Sequence, residues 1–333
     1  MPATFPARRL LLAAALFGGT TGAALANPTN GELLSNFNVI TGTYNTSSES
    51  EGPVIVGGNF NGNSFNVGTN GAPTAATAPS LTSTGGYGAL NIYGNATGSA
   101  NLNGRVADVT GTYTGNYGNT VNASYTFSYT YSSLFSQISQ LSAALALVAT
   151  SNGTSFVSDS NGGYINAAPT TIKGVNNAAV INITGAQLNN LDTNVNGTGF
   201  SLNGTQILVV NVNTTGGTIN KNFNMTGIAP NVLLNFYDAT GTVTFGGEIG
   251  GTILDPNGTI SASTAIDGTV AANTLSTSGE VHWHPLASAG QALVTAFGSG
   301  GVNNVAVPEP SSLGLLGAGL LGLASIRRLR RRA

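Results

Sequence analysis

Apolar residues in this chain come in short runs, and nearly every run is closed by a turn. Val54-Ile55-Val56, Leu90-Asn91-Ile92-Tyr93, Tyr125 to Tyr131, Ala179-Val180-Ile181-Asn182-Ile183, Ile207 to Val212, Val232 to Tyr237, Val243 to Phe245 and Thr252-Ile253-Leu254 are the clearest. Gly57-Gly58-Asn59, Asn61-Gly62-Asn63, Asn196-Gly197 and Asn257-Gly258 punctuate them. Short β-branched runs between Gly/Asn turns predict strands. One segment departs from the pattern. Leu134, Ile138, Leu141, Leu145 and Val148 recur at steps of four and three, which is one face of a helix. The spacing predicts a helix around residues 133–149, capped by Ser132 or Ser133 and ended by Asn152-Gly153. Its other face is Ser/Gln without Lys or Arg, so the stripe is expected on the side of a β core and not on a membrane.

The last third repeats itself. Gly251-Thr252-Ile253 returns as Gly268-Thr269-Val270, about 17 residues later. That period suits stacked coils, none of which can bury its inner face alone. The expected fold is mainly β: a right-handed parallel β-solenoid with one flanking α-helix, spanning residues 27–290.

Both ends read as addresses. Arg8 and Arg9, the apolar Leu10 to Phe17 and the small-x-small Ala24-Leu25-Ala26 form a signal peptide over 1–26, with Ala24 and Ala26 at the cleavage site. Residues 291–306 read as a linker. Beyond it come Pro308-Glu309-Pro310, an apolar run from Leu313 to Ile326, and the basic stop Arg327, Arg328, Arg330, Arg331 and Arg332. The run is short of the roughly 20 residues of a comfortable span, and the arginines favour a cytoplasmic end. This tail resembles the PEP-CTERM sorting signal of exopolysaccharide-producing Gram-negative bacteria. The resemblance implies an exosortase partner, transient anchoring in the inner membrane as a short transmembrane helix, and delivery to the cell surface or extracellular matrix.

Removing the two addresses changes the charge. The whole chain carries −2, but between Asn27 and Val307 only Arg105, Lys173 and Lys221 face eleven acids, a net of −8. No basic patch exists for phosphates, so nucleic acid is excluded as an expected partner. The chain has no cysteine, which removes thiol catalysis and thiolate metal sites. Charged residues are 7% of the chain, far below the usual quarter, and Gly, Asn, Thr and Ser take their place.

Leu33-Leu34-Ser35-Asn36-Phe37-Asn38-Val39-Ile40 and Glu51-Gly52-Pro53-Val54-Ile55-Val56-Gly57-Gly58-Asn59-Phe60 resemble the opening of the choice-of-anchor A domain. Gly251 to Ile260, Asp267 to Asn273 and Gly279-Glu280-Val281-His282 are similar to its close. The resemblance spans about Gly31 to Leu286. It implies an adhesive, β-helical domain with no assigned catalytic residues. Pro53 stands where that pattern has a more polar start.

Candidate chemistry is sparse. Glu280, His282 and His284 alternate, so on a strand they would share one face and could hold zinc; the competing reading is a capped solenoid end. Asp255 and Asp267 could serve glycoside hydrolysis if they face each other, or simply stabilise turns. Asp, Asn and carbonyl oxygens offer a weak calcium site, and no other cofactor is expected. Thr112-Tyr113-Thr114 and Thr242-Val243-Thr244 are steps that could order water for ice binding. Tyr87, Tyr93, Tyr113 and Tyr117 suit carbohydrate contact. No nucleophile elbow, phosphate loop or dinucleotide fingerprint occurs. The expected function is a non-enzymatic surface adhesin or matrix component on extracellular polysaccharide; the alternatives are a polysaccharide-active enzyme and an ice-binding protein.

Overall fold

The computed structural model describes residues 27–298, apart from 72, 75, 83–86, 119, 193–198 and 226. Both targeting segments and the expected Asn196-Gly197 turn lie outside these residues. The described residues form one compact unit. The chain opens with helix α1 (Asn30–Asn36). Strands follow as β1 (Val39–Thr46), β2 (Glu49–Ser50), β3 (Val54–Val56), β4 (Phe60–Val67), β5 (Leu90–Ile92), β6 (Ala96–Asn101), β7 (Ala107–Val109), β8 (Tyr113–Tyr117) and β9 (Val121–Ala123), with a short α2 (Pro79–Thr82) among them. Helix α3 (Tyr131–Ala146) then leads to β10 (Ser155–Asp159), β11 (Gly162–Asn166), β12 (Thr170–Ile172), β13 (Val175–Thr184), α4 (Gly185–Asn189) and β14 (Phe200–Ser201). The second set of coils comprises β15 (Ile207–Asn213), β16 (Gly217–Ile219), β17 (Val232–Asn235), β18 (Thr242–Phe245), β19 (Ile249–Gly250), β20 (Thr252–Ala262), β21 (Ile266–Asp267), β22 (Val270–Thr277) and β23 (Val281–His282). Helix α5 (Ser288–Gly298) closes the described chain.

The pairing is almost wholly parallel and β-helix-like, in three flanks. The first stacks β13, β15, β17, β20, β22, β1, β3, β5, β7 and β9. The second stacks β16, β18, β20, β22, β1, β4, β6 and β8. The third runs β19, β21, β23, β2, β4. Spatial order is therefore not chain order. The N-terminal coils build from β1 to β9, α3 carries the chain away, and the C-terminal coils return until β22 lies beside β1. That seam joins residues some 230 positions apart, as in Val39 beside Val270.

Alternation places the core. On the first flank Val54, Val56, Leu208, Val210 and Ile253 fill the solenoid axis. Their neighbours Ile55, Val209 and Leu254 point the other way, under the helices. A flank covered on both sides explains the unbroken apolar runs. Helix α3 lays Leu134, Ile138, Leu141 and Leu145 on this outer surface. An asparagine ladder fixes it there. Asn182, Asn211 and Asn235 are in register on successive strands. Asn211 Nδ2 donates to Leu145 O (2.8 Å), Asn235 Nδ2 to Ser142 O (2.9 Å), and Ser142 Oγ donates to Asn235 Oδ1 (2.6 Å).

Three expectations need correction. The helical cap is Thr130, whose Oγ1 accepts from Ser133 N (3.1 Å), and the helix ends at Ala146 with Leu147 as its C-cap, before Asn152-Gly153. Five α-helices, not one, occur among the described residues. The expected linker from 291 begins inside α5, whose Leu293 and Val294 are buried against α1 and the first flank. No helix among the described residues is long and apolar enough to cross a membrane; the Leu313–Ile326 segment lies outside them.

Candidate adhesive face

The second flank carries a two-row polar array. Its inward positions are apolar, so every second residue faces out. In the first row Thr242, Thr259, Thr274 and Thr43 stand in register on four adjacent strands. The residues just ahead of β4, β6 and β8 continue it as Asn59, Asn95 and Thr112. Two residues on, Thr218, Thr244, Ser261, Ser276, Asn45, Asn61, Thr97 and Thr114 form the second row. All of them are exposed or half-buried.

The two ends of the array differ. On the N-terminal coils the side chains satisfy one another. Asn61 Nδ2 donates to Asn45 Oδ1 (2.7 Å), Thr97 Oγ1 to Asn61 Oδ1 (2.7 Å), and Thr112 Oγ1 to Asn95 Oδ1 (3.0 Å). On the C-terminal coils the hydroxyls of Thr242, Thr244, Thr259, Ser261, Thr274 and Ser276 bond to no protein group among the described residues. They are left for solvent or ligand. A shallow trough of about 400 Å³ runs beside the second row, lined by Asn45, Ser47, Ser261, Ser263, Ser276 and Ser278.

Both Thr-x-Thr steps read from the sequence, Thr112–Thr114 and Thr242–Thr244, fall on this flank. Sequence reading missed Thr259–Ser261, Thr274–Ser276 and Thr43–Asn45 between them. The signal was available as Thr-x-(Ser/Asn) around an inward Ile, Leu or Tyr. Of the four tyrosines proposed for sugar contact, only Tyr113 stands out, at 42% exposure, while Tyr117 is buried. Tyr87 and Tyr93 bond to each other through their hydroxyls (3.0 Å) and lie against the Phe127 ring.

Asp255 and Asp267 are not brought together. Asp255 lies in the strand run of the first flank beside Ala272, and Asp267 lies on the third flank. Asp255 is fully buried and accepts from Gly258 N (3.0 Å), the turn role expected of it. Burial pushes its carboxyl up to about 7.

Asp267 instead holds His282. Its Oδ1 lies 2.5 Å from Nδ1, and Glu280 Oε2 lies 3.0 Å from Nε2. These carboxylates sit on opposite ring nitrogens, so they cannot converge on one ion with the imidazole. His284 turns back, donating its backbone N–H to His282 O (3.1 Å). Among the described residues no three His, Cys, Asp or Glu side chains gather as a metal set. Burial alone would lower the His282 pKa, but the bonds to Asp267 and Glu280 and the charges of Asp267 and Glu51 outweigh it, so the net shift is upward. Glu49 and Glu248 are raised too, first by burial and then by neighbouring carboxyls.

A raised folded-state pKa gives stability that is complete below the unfolded value and is lost as pH rises through the folded one. The His282 contribution is thus complete below about pH 6.5 and fades above it; Glu49 and Glu248 act in the same direction from the ordinary carboxylate range upward, and buried Asp255, at about 7, loses its share on the way to neutral pH and just above it. The expected result is a higher urea midpoint at about pH 6 than at about pH 9. His282→Gln should reduce the difference and leave the share that Asp255 carries; an unchanged slope would remove His282 from the account.

Fold and face together define a β-helix-like protein with a regular polar contact surface. Residues 30–283 match the family described as "Putative Ice-binding-like adhesive domain", and the chain belongs to that family. Residues 306–332 match the PEP-CTERM protein-sorting motif, which implies export to the cell surface and exosortase processing. Among solved structures the chain is similar to the ice-binding protein of the Antarctic ascomycete Antarctomyces psychrotrophicus. The match has 13% identity and a TM-score of 0.29, and covers 78% of this chain and 99% of that one. No curated protein matches the sequence.

Proposed function

We propose that this protein is an exosortase-processed surface adhesin that grips ice through the two-row flank. The array carries the reading. Its hydroxyls repeat at about 4.8 Å between coils and about 6.7 Å along each strand, and on the C-terminal coils they have no partner among the described residues. Regularly spaced free hydroxyls are suited to hold a lattice of ordered water. The ice-binding-like description of the family supports this choice. The domain acts without catalysis, its two candidate carboxylates being on different flanks. Its coils wind right-handed, as parallel crossovers almost always do. The bearer is a Gram-negative cell, and the tail holds the chain in the inner membrane until processing. A second reading, contact with extracellular polysaccharide, is favoured by the Ser/Thr trough and by exposed Tyr113.

Thermal hysteresis and ice adsorption of residues 27–301 test the reading. The parent should show both, and the double variant Thr259→Tyr/Thr274→Tyr should lose about tenfold with an unchanged urea midpoint. A parent inactive on ice sinks it. Co-sedimentation with the producer's exopolysaccharide, without released sugar and weakened by the same variant, would put polysaccharide first.

A further inference from the structure

The two ends of the solenoid are built differently. At one end antiparallel β12 pairs with the start of β13, at Val175 and Ala178, and β10, β11 and β14 form a separate small sheet nearby in sequence. At the other end β8 pairs only with β6, and β9 only with β7, among the described residues. Thr112 O accepts from Ala96 N (2.9 Å) and Gly118 N donates to Ala100 O (3.1 Å). In a parallel ladder this makes alternate residues face β6, so the N–H and C=O groups of Tyr113, Gly115 and Tyr117 face away from it. Tyr113 lies at this end of the axis, half-exposed, its ring edge-on to Tyr117 at 6.0 Å.

Open edges are ordinarily blunted by Lys, Pro or inward charge. Here nothing blunts the edge: from Val109 to Ser158 the sequence contains no Lys, Arg, Asp, Glu or Pro. An uncharged strand with free backbone groups accepts another extended strand without repulsion.

We propose that this end is a self-association surface, at which β8 pairs antiparallel with β8 of a second copy across a two-fold axis near Gly115. The occupant follows from the other end of the molecule. That end is closed: Ile165, Leu188, Leu191 and Phe200 of α4 and the small sheet and its flanks join the core there, Ser151 N donates to Val180 O and Thr150 Oγ1 accepts from Asn182 N along the β13 edge, and Asn189 Oδ1 accepts from Asn220 N beside β16. Copies therefore cannot stack head to tail into an open fibre, and the matching uncharged edge on this chain is β8 itself. The contact is isologous and closes as a dimer. Thr114 then stands opposite Asn116 of the second copy. The inference is independent of what the second flank binds.

Sedimentation velocity of residues 27–301 over a concentration series should show a monomer–dimer equilibrium. Thr114→Lys/Asn116→Lys sets like charges opposite each other on exposed positions and should weaken the dimer at least about tenfold. Thr242→Lys, at the far end of the same flank, should leave it unchanged. Amide exchange on the unsubstituted protein supplies a readout free of mutational effects: Tyr113, Gly115 and Tyr117 should gain protection as concentration rises. A monomer at every concentration, or a dimer indifferent to the paired lysines with no concentration-dependent protection of these amides, overturns the proposal.

Discussion

Replacing Asn38 with alanine is expected to cost about 3–5 kcal/mol of folding stability. Asn38 is fully buried at the start of β1. Its Nδ2 donates to Gly268 O (2.6 Å) and to His282 O (3.0 Å). Its Oδ1 accepts from Ser50 Oγ (3.0 Å) and from Gly52 N (3.1 Å). One amide thus satisfies groups from the last C-terminal coil and the first N-terminal coil. Alanine would leave buried partners unpaired, and each unpaired buried group costs about 1–3 kcal/mol. Asn38→Asp should be no rescue, because a carboxylate cannot donate to the two carbonyls. Urea denaturation measures the effect; a loss below about 1 kcal/mol would mean that water replaces the amide readily.

Gly98→Ala is expected to be comparably damaging, at about 3 kcal/mol or more. Gly62, Gly98 and Gly115 stand in register on β4, β6 and β8. Gly98 has φ +92°, and an added methyl would run into the Gly62 carbonyl oxygen. The obstacle is backbone of the neighbouring coil, which cannot rotate aside. Gly104 provides the control. It also has a positive φ, +79°, but nothing lies within 4 Å of an added methyl. Gly104→Ala should therefore cost only backbone strain, about 1–2 kcal/mol. Equal midpoints for the two variants would show that the coils move apart without resistance.

Local regularities were readable from the sequence and long-range ones were not. The α3 stripe declared itself because four- and three-residue steps fit only a helix. Its start slipped because Thr130, Ser132 and Ser133 can all cap, and chain geometry decides among them. The Gly-Thr-(Ile/Val) step marked true neighbours, Ile253 beside Val270. Helix α1 was announced by Thr29 and Glu32, which form a capping box, but seven residues carry too little periodicity to read. The seam was invisible. Nothing local says that Thr274 stands next to Thr43, so the row across it could be seen only in fragments. His282 also misled: alternation pointed to a shared face with His284, and the chain leaves the strand after His282.

The seam has a mechanical consequence. In a simple solenoid the coil nearest the tether is terminal and can be peeled from its single neighbour. Here the coil formed by β22 and β23, which leads into α5 and on toward the sorting tail, is interior. It is paired to β20 and β1 on its two sides, and to β21 and β2. Tension applied at the C-terminal end of α5 meets two ladders that must shear together, so the molecule resists pulling at that end more than a coil with a single neighbour would.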